Sequence, residues 1–313
     1  MRELISTKVS IDFMGKRHIC TLLSIILVGL SIALFVRAGD SKYGTDFSGG
    51  HEFLVGFTTP QDSPTIRAKL AEQKLEEVRV QAFQGMKNEF SIRLGDTGDA
   101  TAVRARVESA LRAAFGETAK IEKTDYVGPT VGAELRRSGL IAVSLSILGI
   151  LLYIAIRFEF AIGVGTIVAL CHDVIICTGI YIASGHLIGM ATIAAALTIV
   201  GYSVNDTVVI FDRVREERAK RRNYDIGILV NEAINFTLSR TLITHGLTLI
   251  SAVALYVIGT GEIKDLSLFL VAGIICGAYS TIFVVAPIVI MIERRRKAPQ
   301  TVSQRGAAQA RSA

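Results

Sequence analysis

Long apolar runs alternate along this chain with short charged segments, and one polar stretch of a different rhythm separates the first run from the others. The runs lie at 19–36, 138–156, 161–183, 187–211, 241–258 and 266–292. Each has about the length, ~20 residues, that a helix needs to cross a bilayer. In the last run, Pro287 is expected to kink the helix or to mark where it leaves the membrane. The stretch 38–137 reads otherwise. Segments 51–57, 78–83, 90–94 and 119–126 have strand character, with a turn at 85–88. Residues 63–75 predict a helix, with Ser63 as N-cap and Pro64 in its first turn. Residues 101–115 predict a second helix with Val103, Val107, Leu111 and Phe115 on one face. The order β-α-β-β-α-β is the ferredoxin-like pattern. The expected fold class is therefore an α-helical integral membrane protein of about six transmembrane helices, with one periplasmic α+β (ferredoxin-like) domain between the first and second.

Basic residues orient the plan. Lys16 and Arg17 precede the first run, and Arg157 sits between the second and third. Arg213, Arg215, Arg218, Lys220, Arg221 and Arg222 follow the fourth, and Arg294, Arg295, Arg296 and Lys297 follow the sixth. All fall on one side if the N-terminus is cytoplasmic. The expected divisions are a cytoplasmic N-terminus (1–18), a first transmembrane helix (19–37), the periplasmic domain (38–137), a five-helix transmembrane region (138–292) and a basic cytoplasmic tail (293–313). Both termini then lie on the cytoplasmic side of the membrane. Arg37 stands where a signal-peptidase site would want small neutral residues, so the first helix reads as an uncleaved anchor.

Composition agrees, since half of the residues are hydrophobic. The net charge of +6 gathers beside the apolar runs, which argues for topology rather than nucleic acid. Cys20, Cys171, Cys177 and Cys276 all fall in apolar runs without a C-x-x-C spacing, and predict no disulfide framework.

Asp206 carries the most information. It lies in the fourth run, within V-G-Y-S-V-N-D-T-V-V-I-F-D-R-V-R-E at 200–216. A carboxylate in the membrane costs roughly 3 kcal/mol on insertion scales. Such a group moves protons or ions, or else makes a buried structural contact. Tyr202 lies four residues before it on the same face, with Ser203, Asn205 and Thr207 nearby. Arg240 is expected to open the fifth helix, either as a snorkelling anchor or reaching inward to Asp206. Thr244, Thr248 and Ser251 follow it along one polar stripe, with His245 adjacent. In the third run His172 and Asp173 form either a proton-handling pair or a fixed contact between helices. Asp212 is expected to pair with Arg213, Arg215 or Arg218. Gly273, Gly277, Ser280 and Thr281 suit close packing, without chemistry.

No G-x-x-x-x-G-K-[ST], H-E-x-x-H or G-x-S-x-G motif supports an enzyme, a nucleotide site, a metal or a cofactor. Buried ionisable groups without a nucleotide site point to ion coupling, each charge crossing the field being worth roughly 2.3 kcal/mol per 100 mV.

The segment at 200–216 resembles the fourth-span signature of the SecF family of protein-export membrane proteins. Asp46-Phe47-Ser48-Gly49-Gly50 resembles that family's D-F-x-G-G motif. Cys171-His172-Asp173-Val174 and Ser239-Arg240-Thr241-Leu242-Ile243-Thr244 also fit, and the resemblance covers nearly the whole chain. It implies pairing with a SecD-like subunit, as the two halves of a resistance–nodulation–division transporter. Further implied partners are the Sec translocon channel, a small auxiliary membrane subunit, a preprotein and the lipid bilayer. It implies that the proton gradient promotes preprotein release, with Asp206 as proton carrier, Arg240 beside it and Thr244 as the nearby hydroxyl. The chain departs from the pattern at His245–Gly246, where His245 either adds a titratable group or packs. Gly49 and Gly50 are expected to serve a tight turn more than substrate contact. Two other readings stay open: a proton-coupled exporter of small lipophilic molecules, and a passive scaffold. Proton and sodium coupling are not separated by the sequence.

Overall fold

The computed structural model describes residues 10–75, 78–82, 88–95, 98–221 and 224–296. The expected positions of Phe83, the turn residues 85–87, Arg222 and the tail from Lys297 onward lie outside the described residues.

Helix α1 spans Arg17–Arg37, followed by the single turn α2 at Thr45–Ser48. A β-α-β-β-α-β unit comes next, comprising β1 (Gly50–Phe57), α3 (Ser63–Glu72), β2 (Arg79–Ala82), β3 (Glu89–Leu94), α4 (Ala100–Phe115) and β4 (Ala119–Val127). The sheet order is β2-β3-β1-β4 with every pairing antiparallel, the ferredoxin-like arrangement. Alternation drives it. On β1, Phe53 and Val55 point into the core, with Phe53 opposite Ile92 and Val55 opposite Phe90 on β3. The helices press Ile66, Leu70, Val107 and Leu111 onto that face, and all are fully buried or nearly so. Each such side chain contributes about 1.5–3 kcal/mol.

The cap of α3 differs from expectation. Asp62, not Ser63, is the N-cap, its carboxylate accepting from the Thr65 amide at 3.3 Å. Ser63 is already inside the helix. Asp99 caps α4 in the same way, accepting from Thr101 at 2.7 Å.

The remaining helices are α5 (Pro129–Arg157), α6 (Phe160–Ala183), α7 (Met190–Lys220), α8 (Ile226–Ile258) and α9 (Glu262–Ser280). A π-helical turn at Thr281–Val285 follows, and the helix then continues to Arg296. The π turn stands just before Pro287, which has no N–H to donate to it. With α1, six helices are long and apolar enough to cross a membrane. α6 and α7 sit innermost, whereas α1 and α5 are peripheral and turn Ile19, Leu22, Leu140 and Leu148 outward.

Three helices extend beyond the apolar runs. α5 starts at Pro129, directly after the sheet, because proline suits a first helical turn. α7 carries on to Lys220 as a charged helix. The largest difference is in α8, which begins at Ile226 rather than near 241. Asp225 caps it, accepting from Gly227 at 2.7 Å. Its early turns bury Ile226, Leu229, Val230, Ala233 and Ile234, while Asn231 and Asn235 bind the Ile11 carbonyl at 3.0 and 2.9 Å. That amphipathic pattern hides in a hydropathy window. At 33 residues α8 is ~50 Å long, well beyond a bilayer's ~30 Å core. Arg240 therefore sits inside the helix and does not open it.

Candidate functional site

Two polar clusters lie among the inner helices, both reached from α7, where Ser203 belongs to the first and Asp206, one turn on, to the second. The first is centred on Asp173, which is fully buried. Its Oδ2 accepts from Ser203 of α7 and from Ser280 of α9, each at 2.8 Å. Its Oδ1 stands 3.0 Å from His172 Nδ1 on the same helix. Thr207 and Thr281 meet alongside at 3.3 Å. The carboxylate thus ties α6, α7 and α9 together, with both oxygens occupied. Small residues allow this approach, Gly277 lying directly against Ser203. Ser280 was expected only to pack; its position three residues after Gly277, on the same face, was the available signal.

The second cluster is centred on Asp206, 4% exposed and ~24 Å along α7 from Met190. Its Oδ2 finds no aligned hydrogen bond among the described residues. His245 of α8 faces it, with Nδ1 3.1 Å from that oxygen and 3.1 Å from the Thr241 carbonyl, and the Thr241 side chain also approaches the carboxyl. A carbonyl only accepts, so Nδ1 carries the hydrogen, and the buried Nε2 is left without a partner. Tyr202 packs edge-on to this imidazole, centroids 5.1 Å apart. The tyrosine hydroxyl lies 3.0 Å from both the Thr244 carbonyl and Thr248 Oγ1, and its single hydrogen is shared between these two acceptors. Arg240 is exposed on the outer face of α8. No ion pair joins it to Asp206.

The expected stripe is partly realised. Thr244 bonds the Arg240 carbonyl at 3.0 Å, and Thr248 bonds the Thr244 carbonyl at 2.9 Å, both beside Tyr202. Ser251 is exposed and bonds only the Leu247 carbonyl at 3.1 Å. Asn205 also faces outward. His172 and Asp173 do not join Asp206. Asp212 pairs with Arg157 at 2.9 Å, not with the arginines of its own helix, because the end of α5 lies closer than the next turn of α7.

The Asp46–Gly50 motif holds a junction. Asp46 Oδ2 accepts the Met190 amide at 2.9 Å and so caps α7 from another segment. Phe47 is buried. Gly49 and Gly50 have φ of 70° and 108°, and a Cβ on Gly50 would fall 2.4 Å from the Leu94 carbonyl. Only glycine fits there. Among the described residues, no group of three or more His, Cys, Asp or Glu is placed to hold a metal.

Apolar helices long enough to span a bilayer, carboxylates sealed between them and a ferredoxin-like insertion define a multi-pass membrane protein. Residues 106–295 match the family model described as protein export membrane protein SecD/SecF, C-terminal. The chain belongs to this family, among its SecF protein-translocase subunits. The SecF protein translocase subunit of Rickettsia felis is 38% identical over 298 residues, covering 94% of this chain and 96% of that one. That of Rickettsia prowazekii is 37% identical over 304 residues, covering 96% and 97%. The solved SecDF from Thermus thermophilus, described as a translocon-associated membrane protein, superimposes with a TM-score of 0.84 at 34% identity over 93% of this chain. SecDF in its super-membrane-facing form gives 0.70 at 35% identity over 95%. The chain spans 40% of either SecDF chain.

Proposed function

We propose that this chain is the SecF-like half of a proton-driven accessory to protein export across the bacterial inner membrane. The remainder of SecDF is supplied by a separate SecD-like subunit. The Sec channel, a small auxiliary subunit and the preprotein complete the assembly. The sheet domain works on the periplasmic side, and both termini are cytoplasmic. One observation carries the reading: Asp206 is buried inside the membrane domain with an oxygen that no hydrogen bond claims. A purely structural carboxylate would be satisfied, as Asp173 is.

The geometry supports a two-residue relay. His245 receives a proton at Nε2 and passes the Nδ1 hydrogen to Asp206 Oδ2, 3.1 Å away. The imidazole returns to neutral, and the carboxyl is discharged. Tyr202 fixes the ring by its edge and is itself fixed by Thr244 and Thr248. Arg240 favours the charged form of Asp206 from the outer face. Discharging Asp206 relieves the cost of a buried charge between α7 and α8 and so shifts their preferred packing, and the change reaches the sheet domain through the Asp46 cap.

Inverted vesicles given proton or sodium gradients separately test this. The proton gradient should stimulate translocation, Asp206→Asn should abolish the stimulation, and His245→Ser should slow it while leaving its proton dependence. Normal stimulation in Asp206→Asn vesicles, or stimulation by sodium alone, overturns the reading.

A further inference from the structure

A groove of about 890 Å³ opens between α1, α6 and the last helix; it reaches His172, the neighbour of Asp173, but neither Asp206 nor His245. Ile25 and Val28 of α1, Ile167 and Ile175 of α6, and Phe283 and Pro287 of the last helix line its walls. Two contacts fix its shape. α1 is pressed onto α6 where Ser31 meets Gly179, so closely that a Cβ on the glycine would lie 2.3 Å from the serine hydroxyl. α1 is also held to α9 by Tyr279, whose hydroxyl donates to the Cys20 carbonyl at 2.7 Å and accepts from Ser24 at 3.2 Å. Toward the start of α1 the groove opens beside Phe283 and Val284 of the π turn at Thr281–Val285.

Arg17, His18, Arg294 and Arg295 ring the mouth. Arg294 is paired with Asp225 at 3.1 Å. Arg17, His18 and Arg295 have no acidic partner among the described residues. Of two further lateral grooves, one of about 400 Å³ between α5, α6 and α7 has Arg136 as its one cation, and a more open one of about 700 Å³ at the start of α5 has Arg136 and Arg137 but only a short apolar wall. Apolar walls alone would admit any lipid tail; unpaired cations at one mouth select for charge.

We propose that the groove at Arg17 and Arg295 binds an anionic phospholipid of the leaflet on that side. The lined part of α1, from Arg17 to Val28, is ~16 Å long, about half of a bilayer's ~30 Å core. An acyl tail fits that depth, with the phosphate among the arginines. A partner's transmembrane helix does not, because α1 closes onto α6 at Gly179. Basic pockets between membrane helices on the cytoplasmic side favour anionic headgroups in general.

The intact chain in mild detergent, offered equimolar dioleoyl phosphatidylglycerol and dioleoyl phosphatidylcholine, tests this by native mass spectrometry. Phosphatidylglycerol should be retained preferentially. Arg17→Gln with Arg295→Gln should lower the preference by roughly fivefold per arginine. Arg104→Gln with Lys120→Gln, on the sheet domain, should leave it unchanged. Val28→Trp, which fills the groove, should remove bound lipid of either kind. Equal retention of the two lipids, or a preference that survives loss of both arginines, overturns the proposal.

Discussion

Asp173→Ala and Asp206→Asn should have opposite effects on stability and activity. Asp173 receives two interhelical hydrogen bonds at 2.8 Å. Such bonds in membranes average about 0.6 kcal/mol and reach about 1.7. Removing both should cost about 1–3 kcal/mol, with the larger value if Ser203 and Ser280 are left unsatisfied. Asp206 accepts no aligned bond at Oδ2, and neutralising a carboxylate inside the bilayer relieves up to ~3 kcal/mol of insertion cost. Asp206→Asn should therefore be as stable as the parent or more so, yet lose gradient-driven translocation. Asp173→Ala should unfold earlier but keep the gradient response in whatever fraction stays folded. Reversible unfolding in mixed detergent and denaturant micelles gives the stabilities, and inverted vesicles give the activity. If Asp206→Asn unfolds as early as Asp173→Ala, both carboxylates are structural and the division fails.

Asp46→Ala should cost about 1 kcal/mol, the usual worth of a helix cap, and speed hydrogen exchange at the first amides of α7. Gly179→Ala should destabilise by about 1–3 kcal/mol because its Cβ would strike Ser31, with Ser31→Gly restoring part of the unfolding midpoint. Backbone hydrogen bonds from Thr101 and Ala102 hold the Asp99 carboxyl below the ordinary carboxylate range. Its contribution to the sheet domain is complete above the unfolded value, near pH 4, and is lost as pH falls through the lowered one. Circular dichroism against pH should show this acid loosening, and Asp99→Asn should weaken it.

The sheet domain was largely legible because alternation and capping are local. Phe53, Val55 and Ile92 declare their face by period two, and the strands fall within a residue or two of expectation. The apolar runs located the spans but not their ends. Asn231 and Asn235 break the hydropathy of early α8, yet each is used, binding the backbone of the segment before α1. Asp206 stood out as a carboxylate in an apolar run. Its neighbour did not, because the rotation of α8 decides whether Arg240, Thr244 or His245 turns inward. That rotation is set by packing from Ala233, Ile234 and Thr237, which one sequence does not reveal. The partners of Asp173 lie 30 and 107 residues away and share no local pattern with it.

Asp46 lies in the strip of chain that feeds β1, while the amide it holds belongs to the first residue of the helix bearing Asp206. On the sheet's other exit, the chain enters α5 at Pro129, packed against Gly49 of the same strip. Incoming and outgoing chain thus meet at one fulcrum seated on α7. A screw motion of that helix would swing the sheet as a rigid arm, with no slack linker to absorb the stroke.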